Sequence, residues 1–135
     1  INNKHLNRIK ELVDDAVGKI MDAIDSTGIA DNTIFVFTSE HGDLLGTHGM
    51  MEMRTFYEEA ARVPMLIRAP MFNKSPGLIE GNFGQIDLVP TLLDLLDQEI
   101  PNDLQGTSKA SLIKGEATLD GNDVFNPADV RESTL

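Results

Sequence analysis

Six consecutive residues, Thr33-Ile34-Phe35-Val36-Phe37-Thr38, are all β-branched or aromatic, and the four central ones are apolar at successive rather than alternate positions. A strand with one face in water alternates, so this run predicts a strand covered on both faces, in the manner of a central parallel strand. Such a strand needs helices around it. Between Leu6 and Ile24 the residues Leu6, Ile9, Leu12, Val13, Val17, Ile20, Met21 and Ile24 recur at helical spacing, with Lys10, Glu11, Asp14, Asp15 and Lys19 between them. That helix is expected to end near Asp25, where Ser26-Thr27-Gly28 offers a glycine for a left-handed close.

A second apolar run, Val63 to Arg68, reads as another buried strand, stopped by Ala69-Pro70. Leu78 and Ile79 suggest a short third strand. From Ile86 to about Asp97, Leu88, Leu92, Leu93, Leu95 and Leu96 describe a helix with Pro90 in its first turn. Further on, Gly106, Gly115 and Gly121 break the pattern, leaving a short helix over Ser108 to Lys114 and a short strand around Val124-Phe125.

The fold class implied is α/β, with helices layered on a mainly parallel sheet. Two or three strands seldom make a self-sufficient sheet, so the chain is expected to be part of a larger domain or to complete its core by association. Its start, Ile1-Asn2-Asn3-Lys4, lacks an initiating methionine and a signal-type apolar segment, as if cut from something longer. No apolar run approaches the roughly 20 residues of a membrane span, so no membrane partner is expected. With 22 acidic against 11 basic residues and a formal charge of −11, a nucleic-acid partner is disfavoured, because that affinity rests on lysine and arginine. The chain has no cysteine, which excludes disulfides, thiolate metal sites and a cysteine nucleophile within it.

Ligands of open α/β sheets bind beyond the carboxyl ends of strands, which places Ser39-Glu40-His41-Gly42-Asp43 at the crevice. A carboxylate beside an imidazole supplies an oxygen and a nitrogen to one divalent metal if the chain turns sharply, and Gly42 permits such a turn. Asp43 is a candidate for orienting His41. The stretch from Ser39 to Arg62, with Gly42, Gly46 and Gly49, is too long for a mere connector. Within it His48 is a candidate either for substrate contact or for bonding loop carbonyls. Glu58, Glu59 and Arg62 read as ion pairs that fix the loop. Neither Ser39 nor Ser108 sits in a nucleophile elbow.

Five segments, taken together, carry a resemblance. Asp31-Asn32-Thr33-Ile34-Phe35-Val36-Phe37-Thr38-Ser39-Glu40-His41-Gly42-Asp43, Leu45-Gly46-Thr47-His48-Gly49, Tyr57-Glu58-Glu59-Ala60-Ala61-Arg62-Val63-Pro64, Gln85-Ile86-Asp87-Leu88-Val89-Pro90-Thr91-Leu92-Leu93-Asp94-Leu95 and Gln105-Gly106-Thr107-Ser108 resemble, in this order, the sulfatase family of the alkaline phosphatase-like superfamily. The resemblance implies an alkaline phosphatase-like layered α/β/α fold. It makes residues 1–115 the later part of a catalytic domain and residues 116–135 the start of a C-terminal extension or tail. By position, Glu40 and His41 would be metal ligands, with calcium the expected ion and manganese or zinc the alternatives; the family usually has aspartate where Glu40 stands.

The family's nucleophile is a formylglycine made in a Cys/Ser-x-Pro/Ala-x-Arg motif, which this sequence lacks. The nucleophile and the other metal carboxylates are therefore expected before Ile1, and these 135 residues are not expected to act alone. Met53 stands where the family commonly has a lysine that holds the anionic ester group. Adjacent Arg54 is the candidate substitute, since a guanidinium fork can bind an oxyanion, and with His48 it forms the candidate substrate-binding set. The implied activity is hydrolysis of small-molecule sulfuric esters. A phosphodiesterase or phosphonate monoester hydrolase of the same superfamily, acting on phosphate-type esters, is one alternative. A non-catalytic piece in which Glu40 and Met53 record a degenerate site is the other.

Overall fold

The computed structural model describes residues 3–72, 77–79 and 82–116. The chain divides into two compact units, Ile1–Met71 and Phe72–Leu135. The first opens with helix α1, Asn3–Ser26, which follows from the apolar repeat and closes as its sequence demands. Thr27 Oγ1 donates to the Ala23 carbonyl at 2.7 Å, and Gly28 takes the left-handed conformation with φ +73°. Toward its end α1 half-buries Val17, Met21 and Ile24, whereas Ile9 and Leu12 lie open to solvent.

After a 3-10 turn, Ala30–Asn32, the chain enters strand β1, Phe35–Thr38. Its partner is β2, Met65–Arg68, and the ladder is antiparallel, with Phe35 opposite Arg68 and Thr38 opposite Met65. The expectation of a parallel partner for β1 is thus not met among the described residues. The reason lies in the connection. A parallel neighbour needs a crossover that carries the chain back to the far end of the strand, usually a helix. Residues 39–64 contain only a 3-10 turn, Thr47–Gly49, and the one-turn helix α2, Glu58–Ala61, so the chain re-enters beside the end it left. All four β1 positions are half-buried, and Leu66 of β2 is exposed. Arg68 ties β2 to α1, its guanidinium donating to Asp25 Oδ1 at 2.6 Å.

In the second unit a 3-10 turn, Gln85–Asp87, leads into helix α3, Leu88–Leu95, with Pro90 buried in the first turn as its missing N–H allows. The Asp87 carboxylate accepts from the N–H of Gly84 at 3.0 Å and of Thr107 at 2.8 Å. Helix α4, Ala110–Lys114, starts two residues later than the sequence pattern suggests: Lys109 stands at its N-cap, and the Ser108 side chain before it accepts from the Ala110 N–H at 3.1 Å and donates to Asp94. Leu78 and Ile79 form no strand and are exposed; two apolar residues beside Gly77 are too few to hold a ladder position. The strand expected at Val124-Phe125 and, beyond Glu116, the expected extension lie outside the described residues. No helix of the described residues is long and apolar enough to cross a membrane. Among the described residues the buried apolar side chains are Leu44, Ala60 and Ala69 in the first unit and Pro90, Leu95 and Ala110 in the second.

Candidate metal and substrate site

The antiparallel pairing positions the residues after Thr38. Where β1 ends, Ser39 Oγ donates to the His41 carbonyl at 2.7 Å and folds the chain back on itself. His41 Nδ1 lies 2.7 Å from the Gly42 carbonyl, an acceptor only, so Nδ1 carries the hydrogen. In the neutral ring Nε2 then presents a lone pair. It faces Glu40 Oε1 at 3.4 Å. Two lone-pair donors that close repel each other unless something positive stands between them, and a proton on Nε2 or a shared cation meets that need. Glu40 and His41 thus stand side by side at the end of β1.

Gly42 is needed here for a different reason from the one the sequence suggests. Its φ is not in the left-handed region. Instead its N–H donates to the Ala60 carbonyl at 2.8 Å, and a Cβ on Gly42 would lie 1.9 Å from the Glu59 carbonyl oxygen. The turn carrying Glu40 and His41 is docked, backbone on backbone, against α2, and only glycine allows the approach. Asp43 does not orient His41: its Oδ1 accepts from the Leu45 N–H at 2.7 Å, shaping the next turn.

From there the loop wraps around Leu44, which is fully buried, through Leu44 N–H to the Glu52 carbonyl at 3.1 Å and Gly46 N–H to the Met50 carbonyl at 3.0 Å. His48 sits in it at φ +57°, a left-handed conformation unusual for a side-chain-bearing residue. Its ring stacks on Tyr57, with centroids 3.9 Å apart and planes within 12°, and its Nε2 is 3.5 Å from Glu59 Oε1. Sequence reasoning missed the Tyr57 stack and the Glu59 contact, since nothing in a nine-residue separation marks two rings as neighbours. Of the expected loop ion pairs, Arg62, at the C-cap of α2, reaches back to Glu58 at 3.4 Å, while Glu59 lies 3.5 Å from His48 Nε2. Arg54 stands at the surface with its Nε 3.4 Å from Glu52 Oε2, and Met53 is partly exposed beside it.

A carboxylate oxygen and an imidazole nitrogen suit a divalent ion, and the hydrogen bond that pins Nδ1 leaves the correct ring nitrogen for one. Glu40 and His41 thus fit such an ion as two of its ligands. Among the described residues no group of three or more His, Asp or Glu side chains could hold a metal, so the remaining ligands are not supplied there.

The sulfatase family model matches residues 3–98. An N-acetylglucosamine-6-O-sulfatase of Bacteroides thetaiotaomicron is 35% identical over 121 residues, covering 90% of this chain and 20% of that protein. Among solved structures, BT4656 in complex with its substrate D-glucosamine-2-N,6-O-disulfate aligns with a TM-score of 0.74 and 34% identity over 82% of this chain and 22% of the other. The phosphonate monoester hydrolase SpPMH of Silicibacter pomeroyi aligns with a TM-score of 0.73 and 37% identity, over 80% and 21%. The chain thus spans about a fifth of the length of these relatives. With one family model across most of the sequence and the same α/β fold in solved relatives at this identity, the chain belongs to the sulfatase family and has its alkaline phosphatase-like fold.

Proposed function

We propose that this chain is the later part of the catalytic domain of a metal-dependent sulfuric ester hydrolase. The observation that carries the reading is the convergence of Glu40 and His41 at the end of β1, with Nδ1 of His41 pinned so that Nε2 faces the carboxylate. Glu40 and His41 would hold a divalent ion, which would supply polarisation of the ester group and stabilisation of negative charge developing on its oxygens. Calcium is the proposed ion. Manganese or zinc would suit the imidazole nitrogen better on ligand chemistry alone, so metal content belongs in the test.

In this reading Glu40 and His41 each give one ligand, and Gly42 holds their turn against α2 so that neither drifts. Arg54 and His48 are the proposed substrate contacts. The Arg54–Glu52 pair is largely exposed, and such pairs are worth at most about 1 kcal/mol, so it does not withhold the guanidinium from an ester anion. The nucleophile and the other ligands are proposed to come from residues before Ile1. The same remainder of the domain, rather than a second copy of this chain, is the proposed cover for the exposed apolar residues of α1, given the share of its relatives that this chain spans.

A second reading, a phosphonate monoester hydrolase, keeps the site and changes the ester, and is favoured by the likeness to SpPMH. The test uses the full-length protein purified without chelator. Its metal content is measured, and its turnover of 4-nitrophenyl sulfate is compared with that of 4-nitrophenyl phosphate and a phenylphosphonate monoester. Preferred sulfate turnover, lost together with the bound metal in His41→Ala and Glu40→Ala, is the expected result. Sulfate turnover near background with rapid phosphonate cleavage would move the assignment to the second reading. A protein that carries no divalent ion and cleaves none of these esters after calcium, manganese or zinc is added would be non-catalytic.

A further inference from the structure

The loop after β1 meets α2 at two points, one made by main chain and one by side chains. At the first, Gly42 N–H donates to the Ala60 carbonyl at 2.8 Å, and the Gly42 backbone lies too close to the Glu59 carbonyl to carry a Cβ. At the second, the His48 ring lies on the Tyr57 ring with centroids 3.9 Å apart and planes within 12°. Both segments are stiffened between these contacts. In the loop, Asp43 Oδ1 accepts from the Leu45 N–H at 2.7 Å and the Leu44 carbonyl accepts from the Thr47 N–H at 2.8 Å, around the fully buried Leu44 side chain. Opposite, the Tyr57 carbonyl accepts from the N–H groups of Ala60 and Ala61, each at 2.9 Å. A segment held at one point pivots about it; held at two, it keeps its direction. The backbone at His48 is left-handed, φ +57° and ψ +18°, a conformation that persists in a residue with a side chain only where the surroundings impose it. Tyr57 stands at the N-cap of α2 and makes no side-chain capping bond, so its ring serves the stack instead.

We propose that His48 and Tyr57 are positioning residues: their stack is the second half of a two-point clamp that fixes the direction of the turn bearing Glu40 and His41. Their action runs through the main chain, from Tyr57 along α2 to Glu59 and Ala60 and from there to Gly42, and it needs no contact between either ring and Glu40 or His41. The catalytic meaning of the clamp rests on the metal-site reading above, and it is distinct from the substrate contact proposed there for His48. Two flat faces in contact contribute beyond the area they bury, so the clamp depends on ring against ring. A side chain without a flat face at either position opens it, whereas another benzene ring at residue 57 keeps it closed.

The test is amide hydrogen exchange on the full-length protein, prepared metal-free and followed by mass spectrometry at the Gly42 N–H, which exchanges when the turn leaves Ala60. His48→Asn keeps a residue that tolerates the left-handed backbone and removes the ring. Tyr57→Leu keeps an apolar side chain and removes the flat face, and Tyr57→Phe keeps the face. His48→Asn and Tyr57→Leu are each expected to lower Gly42 protection by about three- to tenfold, the size of one aromatic pair. The double variant falls no further than either, because a single contact is lost once, and Tyr57→Phe stays at the unaltered value. The Thr27 N–H, bonded to the Ala23 carbonyl at the end of α1, keeps its protection in every variant. Unchanged Gly42 protection in His48→Asn and Tyr57→Leu, additive losses in the double variant, or an equal loss at Thr27 would overturn the clamp. Calcium, manganese or zinc added to the unaltered protein is expected to raise Gly42 protection further. No rise with any of them, while the variants behave as stated, would overturn the metal-site reading and leave the clamp standing.

Discussion

Replacing Gly42 with alanine separates the two reasons a glycine can follow Glu40-His41. If glycine were there only for conformational freedom, alanine at a φ it can adopt would be neutral or would stabilise by about 0.4–1 kcal/mol through the unfolded chain. The structure predicts the opposite. The new Cβ would lie 1.9 Å from the Glu59 carbonyl oxygen, 3.0 Å from its carbon and 3.4 Å from Ala60 Cα. An ordinary carbon–oxygen contact is about 3.3 Å or more, so the two backbones must part by over about 1 Å. No side chain can swing away to relieve this, because the atoms met are main chain. Separation also breaks the bond from Gly42 N–H to the Ala60 carbonyl, now 2.8 Å.

Overpacking of this kind costs about 1–3 kcal/mol, and the lost hydrogen bond about 0.5–1.5 kcal/mol. Together they put Gly42→Ala about 1.5–4.5 kcal/mol below the unaltered protein. A turn displaced by about 1 Å should also lower turnover by about 100-fold, because ligand geometry tolerates little error. Chemical denaturation of the two proteins side by side reads the first effect; metal content and ester turnover read the second. Equal stability within about 0.5 kcal/mol, with metal and turnover unchanged, would refute the docking argument.

Gly18 is the contrasting case: it lies inside α1, and no atom comes within 4 Å of a Cβ placed there. Gly18→Ala is expected to raise stability by about 0.5–1 kcal/mol in the same denaturation assay, and a loss would mean that residue 18 is not an open helical position. Gly106→Ala should resemble Gly42→Ala, with a cost of about 1.5–4.5 kcal/mol, since its Cβ would meet Ile86 O at 1.9 Å and Ile86 C at 2.4 Å and would pull Thr107 from Asp87. A neutral Gly106→Ala would show that the Gln105–Ser108 segment is not seated against the start of α3.

How much of this was legible in the sequence depends on whether the cause was local. Helix α1 and its glycine close, the strands at Phe35 and Met65, and the Pro90 helix start all follow from periodicity and backbone chemistry within a few residues. The antiparallel sense of the ladder does not, because it is decided by what residues 39–64 fail to contain, a helix long enough to cross back. That Glu40 and His41 follow a strand was readable, but the role of Gly42 was not. A close approach to Glu59 and Ala60, 17 and 18 residues on, leaves the same letter in the sequence as a sharp turn. His48 shows the limit most clearly. Neither Tyr57 nor Glu59 carries any local mark of contact with it.

Residue 59 also explains why so short a helix can organise the site. Four residues of α2 cannot hold a helix unaided, since nucleation alone outweighs the hydrogen bonds they make, and Tyr57 offers no side-chain cap. Burial of Ala60 and the bond from Gly42 N–H to its carbonyl hold α2 in place. The Glu40–His41 turn and α2 are therefore each ordered by the other, and neither is a preformed platform. The main chain of Glu59 sets where the Glu40–His41 turn stands, while its side chain lies 3.5 Å from His48 Nε2. The two are separable, because a carboxylate can be removed without moving a carbonyl. Substitutions of the Glu59 side chain should accordingly leave the Glu40–His41 turn, and the metal proposed for it, in place, whereas a Cβ at Gly42 should displace the turn first.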